Sequence, residues 1–290
     1  MGTTLEVIIP LRYTIYADSV YSIFRKLDSL FHPTAPYSDV SRINKHSGEW
    51  VHVANETADC IRKSLILSEL TDGEFDITVG TVVDLWHFEE EGHYKRPSQD
   101  TIKKYRKLVN YRLIRVDGDS VFIKRGQKIT LSGIAKGYAL DLVKRFLKER
   151  GVNSAIVNAG GDMLVLGKKG NELWRVGIQS PWEKGVFMTL GVSDRFVATS
   201  GNYVRYVKKG DTTFTHIFNP KTGMPLEYKK LSVTVIADSG YIADGLATAL
   251  SVLGRKRSFE IADRLKVGLI GMYDGDTVIN EVARKYIAEK

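Results

Sequence analysis

The sequence predicts an α+β fold with largely antiparallel sheets, and three observations carry that prediction. Strand-like runs are hairpin-sized and bounded by turn residues. Helical periodicity falls between them irregularly and not in strict βαβ alternation, which argues against a doubly wound parallel sheet. The 290 residues are 43% hydrophobic, enough to bury a large core, while 26 glycines against 7 prolines supply sharp turns without a proline-rich linker. One continuous body over residues 1–290 is expected, and no short-period repeat is visible.

Residues 4–10 form a β-type run, and residues 11–17 are expected to pair with it as a hairpin. Asp18 or Ser19 can cap the helix that follows, in which Val20, Ile23, Phe24, Leu27 and Leu30 recur at helical spacing. Residues 32–47, rich in Pro, Ser and Tyr, read as a loop. A second helix over residues 55–70 is stopped by Thr71-Asp72-Gly73. Residues 98–107 form a polar helix, and Asp117-Gly118-Asp119 turns one strand (113–116) into another (120–123). The helix over 136–150 ends at Gly151, and strands follow at 154–157, 163–166, 175–178 and 187–192. In the last third come a strand at 231–237, helices at 241–253 and 256–265, a strand at 267–272 and a terminal helix from Val282.

Composition excludes several function classes. The formal charge is +8 and the pI near 9.3, yet acidic and basic residues alternate and the sharpest basic cluster, Arg255-Lys256-Arg257, is short. A nucleic-acid footprint needs a concentrated basic face, so no nucleic-acid partner is expected, whereas a mildly basic surface favours anionic ligands. The single cysteine, Cys60, rules out an internal disulfide and a thiolate metal cluster, and reads as a buried thiol. No run of 18 apolar residues marks a transmembrane helix, and the first residues lack a secretory signal, so a cytoplasmic chain, or one whose leader has been left out, is expected.

Several constellations can carry chemistry. Asp244 and Thr248, four residues apart in a helical stretch, share one face and offer a carboxylate and a hydroxyl to a hard cation such as Mg²⁺. A capping or solvent-facing Asp with an interior Thr has the same spacing, and spacing leaves both readings open. Residues 131–141 pass from a strand through the small residues Ser132 and Gly133 into a helix, where backbone N–H groups and Lys136 can meet an anion. The Walker A spacing is absent. Asn158-Ala159-Gly160-Gly161-Asp162 is a second tight glycine turn, and a plain hairpin turn accounts for it equally. His216, at a strand end before a Pro-Lys-Thr-Gly turn, is placed as a general base or as a hydrogen-bonded structural histidine. The other histidines make no zinc-binding pattern. Residues 73–80 followed by Val83-Asp84-Leu85-Trp86-His87-Phe88 either wall a planar ligand or pack a core.

Taken in order, these blocks closely resemble the ApbE family of FAD:protein FMN transferases. The resemblance runs over nearly the whole chain: Met1-Gly2-Thr3, Ser38-Asp39-Val40-Ser41-Arg42-Ile43-Asn44, and the segments 73–86, 132–141, 158–162, 198–203, 216–225 and 232–254. It implies antiparallel sheets and helices of the tandem T-fold-like kind in a single domain, in one piece or as two lobes with an FAD cleft between them. It further implies Mg²⁺ held by Asp244, Thr248 and the carbonyl of Gly133, with His216 and Asp244 as catalytic residues. FAD contacts fall on Met1, Glu74, Phe75, Asp76, Thr130, Lys136 and Phe218, and a flavin-stacking tyrosine of the family aligns near Thr34, with Tyr37 close by. Two departures stand out: Thr130 where many members have aspartate before the Ser-Gly step, and Asn219-Pro220 where many have Asp-Pro.

The reaction so implied moves FMN from FAD to a Thr or Ser hydroxyl of an acceptor protein, releasing AMP. Its rivals are hydrolysis of FAD to FMN and AMP, and passive FAD storage. Expected acceptors are flavoprotein subunits of redox-driven ion pumps such as sodium-pumping quinone reductases, read through Asp-Gly-x-[Ser/Thr]-Gly-Ala-[Thr/Ser]. The resemblance also implies a lipoprotein on the outer, periplasmic face of the cytoplasmic membrane, although no lipobox is present here.

Overall fold

Strand pairing is antiparallel throughout the described chain, as the hairpin-sized runs imply. The computed structural model describes residues 2–86, 97–201, 206–209, 212–227, 231–273 and 275–288, with backbone alone at 206–209, 212–213, 216 and 227. The helices are α1 (Ala17–Phe31), α2 (Asp39–Lys45), α3 (Asn55–Leu70), α4 (Gly80–Val83), α5 (Gln99–Arg106), α6 (Ala135–Glu149), α7 (Gly240–Ser251), α8 (Arg255–Arg264) and α9 (Glu281–Arg284). The strands are β1 (Leu5–Ile8), β2 (Trp50–His52), β3 (Arg115–Asp117), β4 (Ser120–Phe122), β5 (Ala155–Ala159), β6 (Asp162–Leu166), β7 (Trp174–Gln179), β8 (Val186–Val192), β9 (Arg195–Gly201), β10 (Tyr206–Lys209), β11 (Thr212–Asn219), β12 (Met224–Glu227), β13 (Ser232–Ala237), β14 (Gly268–Tyr273) and β15 (Asp276–Ile279). No described helix is long and apolar enough to cross a membrane.

The chain divides into two units, one of Met1–Lys26, Ile134–Gly201 and Lys229–Lys290, the other of Leu27–Gly133 and Asn202–Tyr228. The first unit is built on an open seven-stranded sheet in the order β1-β5-β6-β9-β13-β14-β15. Helix α7 lies on β9 and β13 and against α6, while the β7–β8 ribbon packs Val176, Leu190 and Val192 against Val165, Val197 and Ile270 of the sheet. Every residue of β13 is buried, which explains why it reads as a continuous Val-Thr-Val-Ile run and not as an alternating one. The second unit holds two three-stranded sheets, β2-β4-β3 and β10-β11-β12. Its core near Trp86 gathers Val82, Ile102 and Phe218, with the Trp86 ring centroid 5.8 Å from Phe214 and 6.0 Å from Phe218.

Helix α3 spans the residues expected of it, and α5 to α8 fall within two residues of theirs at either end. Five expectations need correction. Asp18 and Ser19, expected to cap the first helix, lie inside it, since α1 begins at Ala17. Residues 11–17 do not pair with β1. Leu11–Tyr16 is a 3-10 turn, begun by the Tyr13 N–H donating to the Pro10 carbonyl at 2.8 Å, and β1 pairs instead with the distant β5. Within the expected loop 32–47 lies α2, capped by the Ser38 hydroxyl, which accepts from the Ser41 N–H. The segment before α6 is irregular and not a strand: Asn44 takes both backbone groups of Ile129, and the Thr130 N–H donates to the Ile77 carbonyl, in place of a strand ladder. The terminal helix is a single turn, α9, preceded by the unanticipated β15.

Candidate active site

Asp244 and Thr248 both belong to α7, one turn apart, Asp244 buried at 5% exposure and Thr248 half-buried. The carboxylate of Asp244 reaches the start of α6: Oδ2 accepts from the Gly137 N–H at 2.8 Å, and the Lys136 N–H adds a second bond. A helix N-terminus carries partial positive charge, so an acid belongs there. The expected glycine turn is a two-residue hairpin between β5 and β6, with Ala159 paired to Asp162 and Gly160 and Gly161 at φ of +61° and +99°, as a type I′ turn requires. It delivers Asp162, 1% exposed, into the interior. There Oδ1 accepts from the Thr199 N–H at 3.1 Å and Oδ2 pairs with Lys136 Nζ at 2.5 Å.

The electrostatics of this cluster are unbalanced. Two buried carboxylates share one ammonium. Burial, and then the negative charge of Asp162, push Asp244 up to about 7, against the pull of Lys136 and the two N–H groups. Burial also raises Asp162, opposed mainly by Lys136. Lys136, expected to face an anion, is engaged first with Asp162. A cluster short of one positive charge suits a hard cation. Among the described residues no group of three or more His, Cys, Asp or Glu could cage a metal. An acid and an alcohol one turn apart on α7 are nonetheless hard-oxygen donors of the kind Mg²⁺ takes, an ion that keeps several ligand positions for water and phosphate oxygens. The residues present therefore fit that ion.

In the second unit, the Glu74-Phe75-Asp76 segment is fixed from within. The Thr71 hydroxyl accepts from the Phe75 N–H at 3.0 Å. Asp76 Oδ1 accepts from the Thr78 N–H (2.8 Å) and hydroxyl (2.6 Å), and Oδ2 from the Tyr111 N–H (2.9 Å), so both oxygens serve the chain itself. Phe75 is buried and Glu74 half-buried. The Thr130 N–H donates to the Ile77 carbonyl at 2.8 Å, and its hydroxyl donates to Ser132 Oγ at 3.1 Å. Asn44 grips the neighbouring Ile129 at both ends, Oδ1 accepting from its N–H at 2.7 Å and Nδ2 donating to its carbonyl at 3.0 Å. Gly133, half-buried, ends this hung segment.

Phe218 is buried beside Trp86, so of the aromatic run 83–88 the described ring packs in a core; His87 and Phe88 lie outside the described residues. Tyr37 is 74% exposed. His216 sits in β11 ahead of the turn at 220–223, its side chain outside the described set, as is all of Met1. Asn219 Oδ1 accepts from the Lys221 (2.8 Å) and Thr222 (3.1 Å) N–H groups, so the Asn in place of Asp keeps the turn and forgoes only a charge. Lys221 Nζ then donates to the Asp72 carbonyl at 2.6 Å, tying this turn to the 71–76 segment.

Asp162, Asn44 and Asp141 escaped sequence reasoning as site residues. For Asp162 a signal existed: alternation along Asp-Met-Leu-Val-Leu puts it on the same face as Leu164 and Leu166, both wholly buried. An acid on an apolar strand face needs a partner.

The chain is thus an antiparallel α+β protein that gathers two buried acids, Asp244 and Asp162, with Lys136 and the N–H groups that open α6. Comparison with known proteins makes this specific. The model of the ApbE family matches residues 1–271. The chain is 30% identical to the FAD:protein FMN transferase of Vibrio cholerae serotype O1 over 85% of its length and 75% of that protein's. Against the FAD:protein FMN transferase of Escherichia coli K12 it is 33% identical over 73% of this chain and 63% of that one. The crystal structure of the ApbE protein from Thermotoga maritima superimposes with a TM-score of 0.90 at 31% identity, covering 99% of this chain and 97% of that one. This chain belongs to the ApbE family.

Proposed function

We propose that this chain is an FAD:protein FMN transferase, joining FMN through a phosphoester bond to a Thr or Ser hydroxyl of an acceptor protein and releasing AMP. Family membership supports flavin transfer as the class of reaction. The observation that carries the finer reading is the cluster of Asp244, Asp162 and Lys136, two buried carboxylates against one ammonium, with Thr248 one turn along α7. A protein that only stored FAD would have no use for a site so suited to a cation.

In this reading Asp244, Thr248 and the Gly133 carbonyl would hold Mg²⁺, which would supply positive charge against the phosphates. The acceptor hydroxyl oxygen attacks the FMN phosphorus, forming one P–O bond as the P–O bond to AMP breaks, and its proton passes to His216. Lys136, steadied by Asp162, offers its charge to the phosphate oxygens. The 74–76 segment takes the adenosine side, while Thr130, Phe218, Tyr37 and Met1 bound the flavin. The acceptors are flavoprotein subunits of redox-driven ion pumps, and the enzyme works beside them at the outer face of the cytoplasmic membrane.

The test incubates the full chain with FAD, Mg²⁺ and an acceptor domain carrying the Asp-Gly-x-[Ser/Thr]-Gly-Ala-[Thr/Ser] sequence, followed by mass spectrometry of the acceptor. An FMN adduct on the Ser/Thr at the fourth position supports transfer. Free FMN and AMP without adduct would replace this reading with FAD hydrolysis, and intact FAD with storage.

A further inference from the structure

Helices α6 and α7 open with the same spacing of the same residues. Gly137-Tyr138-Ala139-Leu140-Asp141 lies at the start of α6 and Gly240-Tyr241-Ile242-Ala243-Asp244 at the start of α7. The two glycines lie back to back, and a Cβ on either would run into the other's carbonyl oxygen. From that contact each aspartate reaches across to the first turn of the opposite helix. Asp244 of α7 accepts from the Gly137 N–H at 2.8 Å. Asp141 of α6 accepts from the Gly240 N–H (Oδ1, 2.8 Å), the Tyr241 N–H (Oδ2, 2.9 Å) and the Ser239 hydroxyl (Oδ2, 3.1 Å).

We infer that Asp141 is a positioning residue for the metal site, setting the axial position and rotation of α7 so that Asp244 and Thr248 are presented together. The inference rests on the proposed role of those two residues. A helix begins with N–H groups that its own backbone cannot satisfy. At the start of α7 the natural cap, Ser239, accepts none of them; its hydroxyl is turned to Asp141 instead. Asp141 therefore caps α7 from another helix, and three bonds to one rigid carboxylate fix where the first turn sits. Asp244 follows Gly240 by one turn and Thr248 by two, so an error at the cap is carried to both. Both oxygens of Asp141 are occupied by α7, so it acts on the cation only through Asp244 and Thr248. Groups that orient a metal's ligands commonly change affinity by about 10–100-fold when altered.

The experiment measures Mn²⁺ binding by electron paramagnetic resonance on the full chain with FAD present, alongside thermal melting. Four proteins are compared: wild type, Asp141→Asn, Asp244→Ala, and Leu147→Ala, the last truncating a buried side chain near the far end of α6 from the glycine contact. Asp141→Asn should weaken Mn²⁺ roughly 10-fold or more. Leu147→Ala should lower the melting temperature at least as far and leave Mn²⁺ affinity unchanged. Wild-type affinity in Asp141→Asn, or equal losses in Asp141→Asn and Leu147→Ala, overturns the inference. Should wild type bind no Mn²⁺, or Asp244→Ala bind it as well as wild type, the metal reading itself fails and this one with it. If Asp141→Asn does not fold, Ser239→Ala removes one of the three bonds and should weaken Mn²⁺ in the same direction; unchanged affinity there also overturns the inference.

Discussion

At Asp76 burial outweighs the three hydrogen bonds accepted by the carboxylate and the nearby charge of Lys221, holding its carboxyl above the usual range. The folded chain therefore binds this proton more tightly than the unfolded chain, whose value is 3.8. The stability so contributed is full below 3.8 and is lost as pH rises through the raised folded value. In urea titrations from pH 7 down to about 4, wild type should gain stability relative to Asp76→Asn as the pH falls. A shrinking gap would show that the hydrogen bonds, not burial, dominate. At neutral pH the Asn variant should itself cost roughly 1–3 kcal/mol, because an amide N–H₂ then faces a backbone donor. Asp244→Ala belongs to the same scale: FMN transfer should fall by roughly 10²-fold or more with a wild-type circular dichroism spectrum, and retained transfer would remove the metal assignment.

Between elements, the close α6–α7 contact depends on residues without side chains. Gly240→Ala places a methyl group against the Gly137 carbonyl and should cost about 1–3 kcal/mol or more, read as a lower midpoint in denaturant; an unchanged midpoint would mean the helices slide apart freely. Asn44, near the end of α2, acts on Ile129 as a strand partner would, and with the Thr130 N–H bonded to the Ile77 carbonyl it holds residues 129–130 in place without a sheet. Asn44→Ala removes both bonds and should cost about 1–3 kcal/mol while raising the FAD concentration needed for half-maximal transfer. Loss of stability without that rise would confine Asn44 to folding. Helix α2 hid from sequence reasoning because seven residues are too few to display periodicity, although Ser38 with Asp39 is a recognisable start. The 11–17 run deceived for a different reason. Its apolar residues suit a strand, but Pro10 leads into a 3-10 turn, and a better partner for β1 comes from 150 residues away.

For the whole molecule, a ligand that binds only the folded chain stabilises it by mass action, by about 2.7 kcal/mol at one hundred times its dissociation constant. FAD with Mg²⁺ together should therefore raise the melting temperature more than the sum of either alone, and the excess should vanish in Asp244→Ala. Purely additive shifts would separate FAD binding from the cation. The α+β class, the antiparallel pairing and most helix limits were legible in the sequence, because hydrophobic period, glycine stops and hairpin turns are local signals. Asp244 and Thr248 were legible as a pair for the same reason, since four residues make one helical turn whatever surrounds them.

What the residues determined alone was thus the local part: which segments coil or extend, which turn needs two glycines, and which acid and alcohol share a helix face. Tertiary structure decided the rest. It turned Asp162 inward onto Lys136, made Asp141 the cap of a helix a hundred residues away, and gave the backbone of Ile129 its partner in Asn44. These depend on burial and on N–H groups left over at distant chain ends, and no window of sequence records which polar groups folding will strand together.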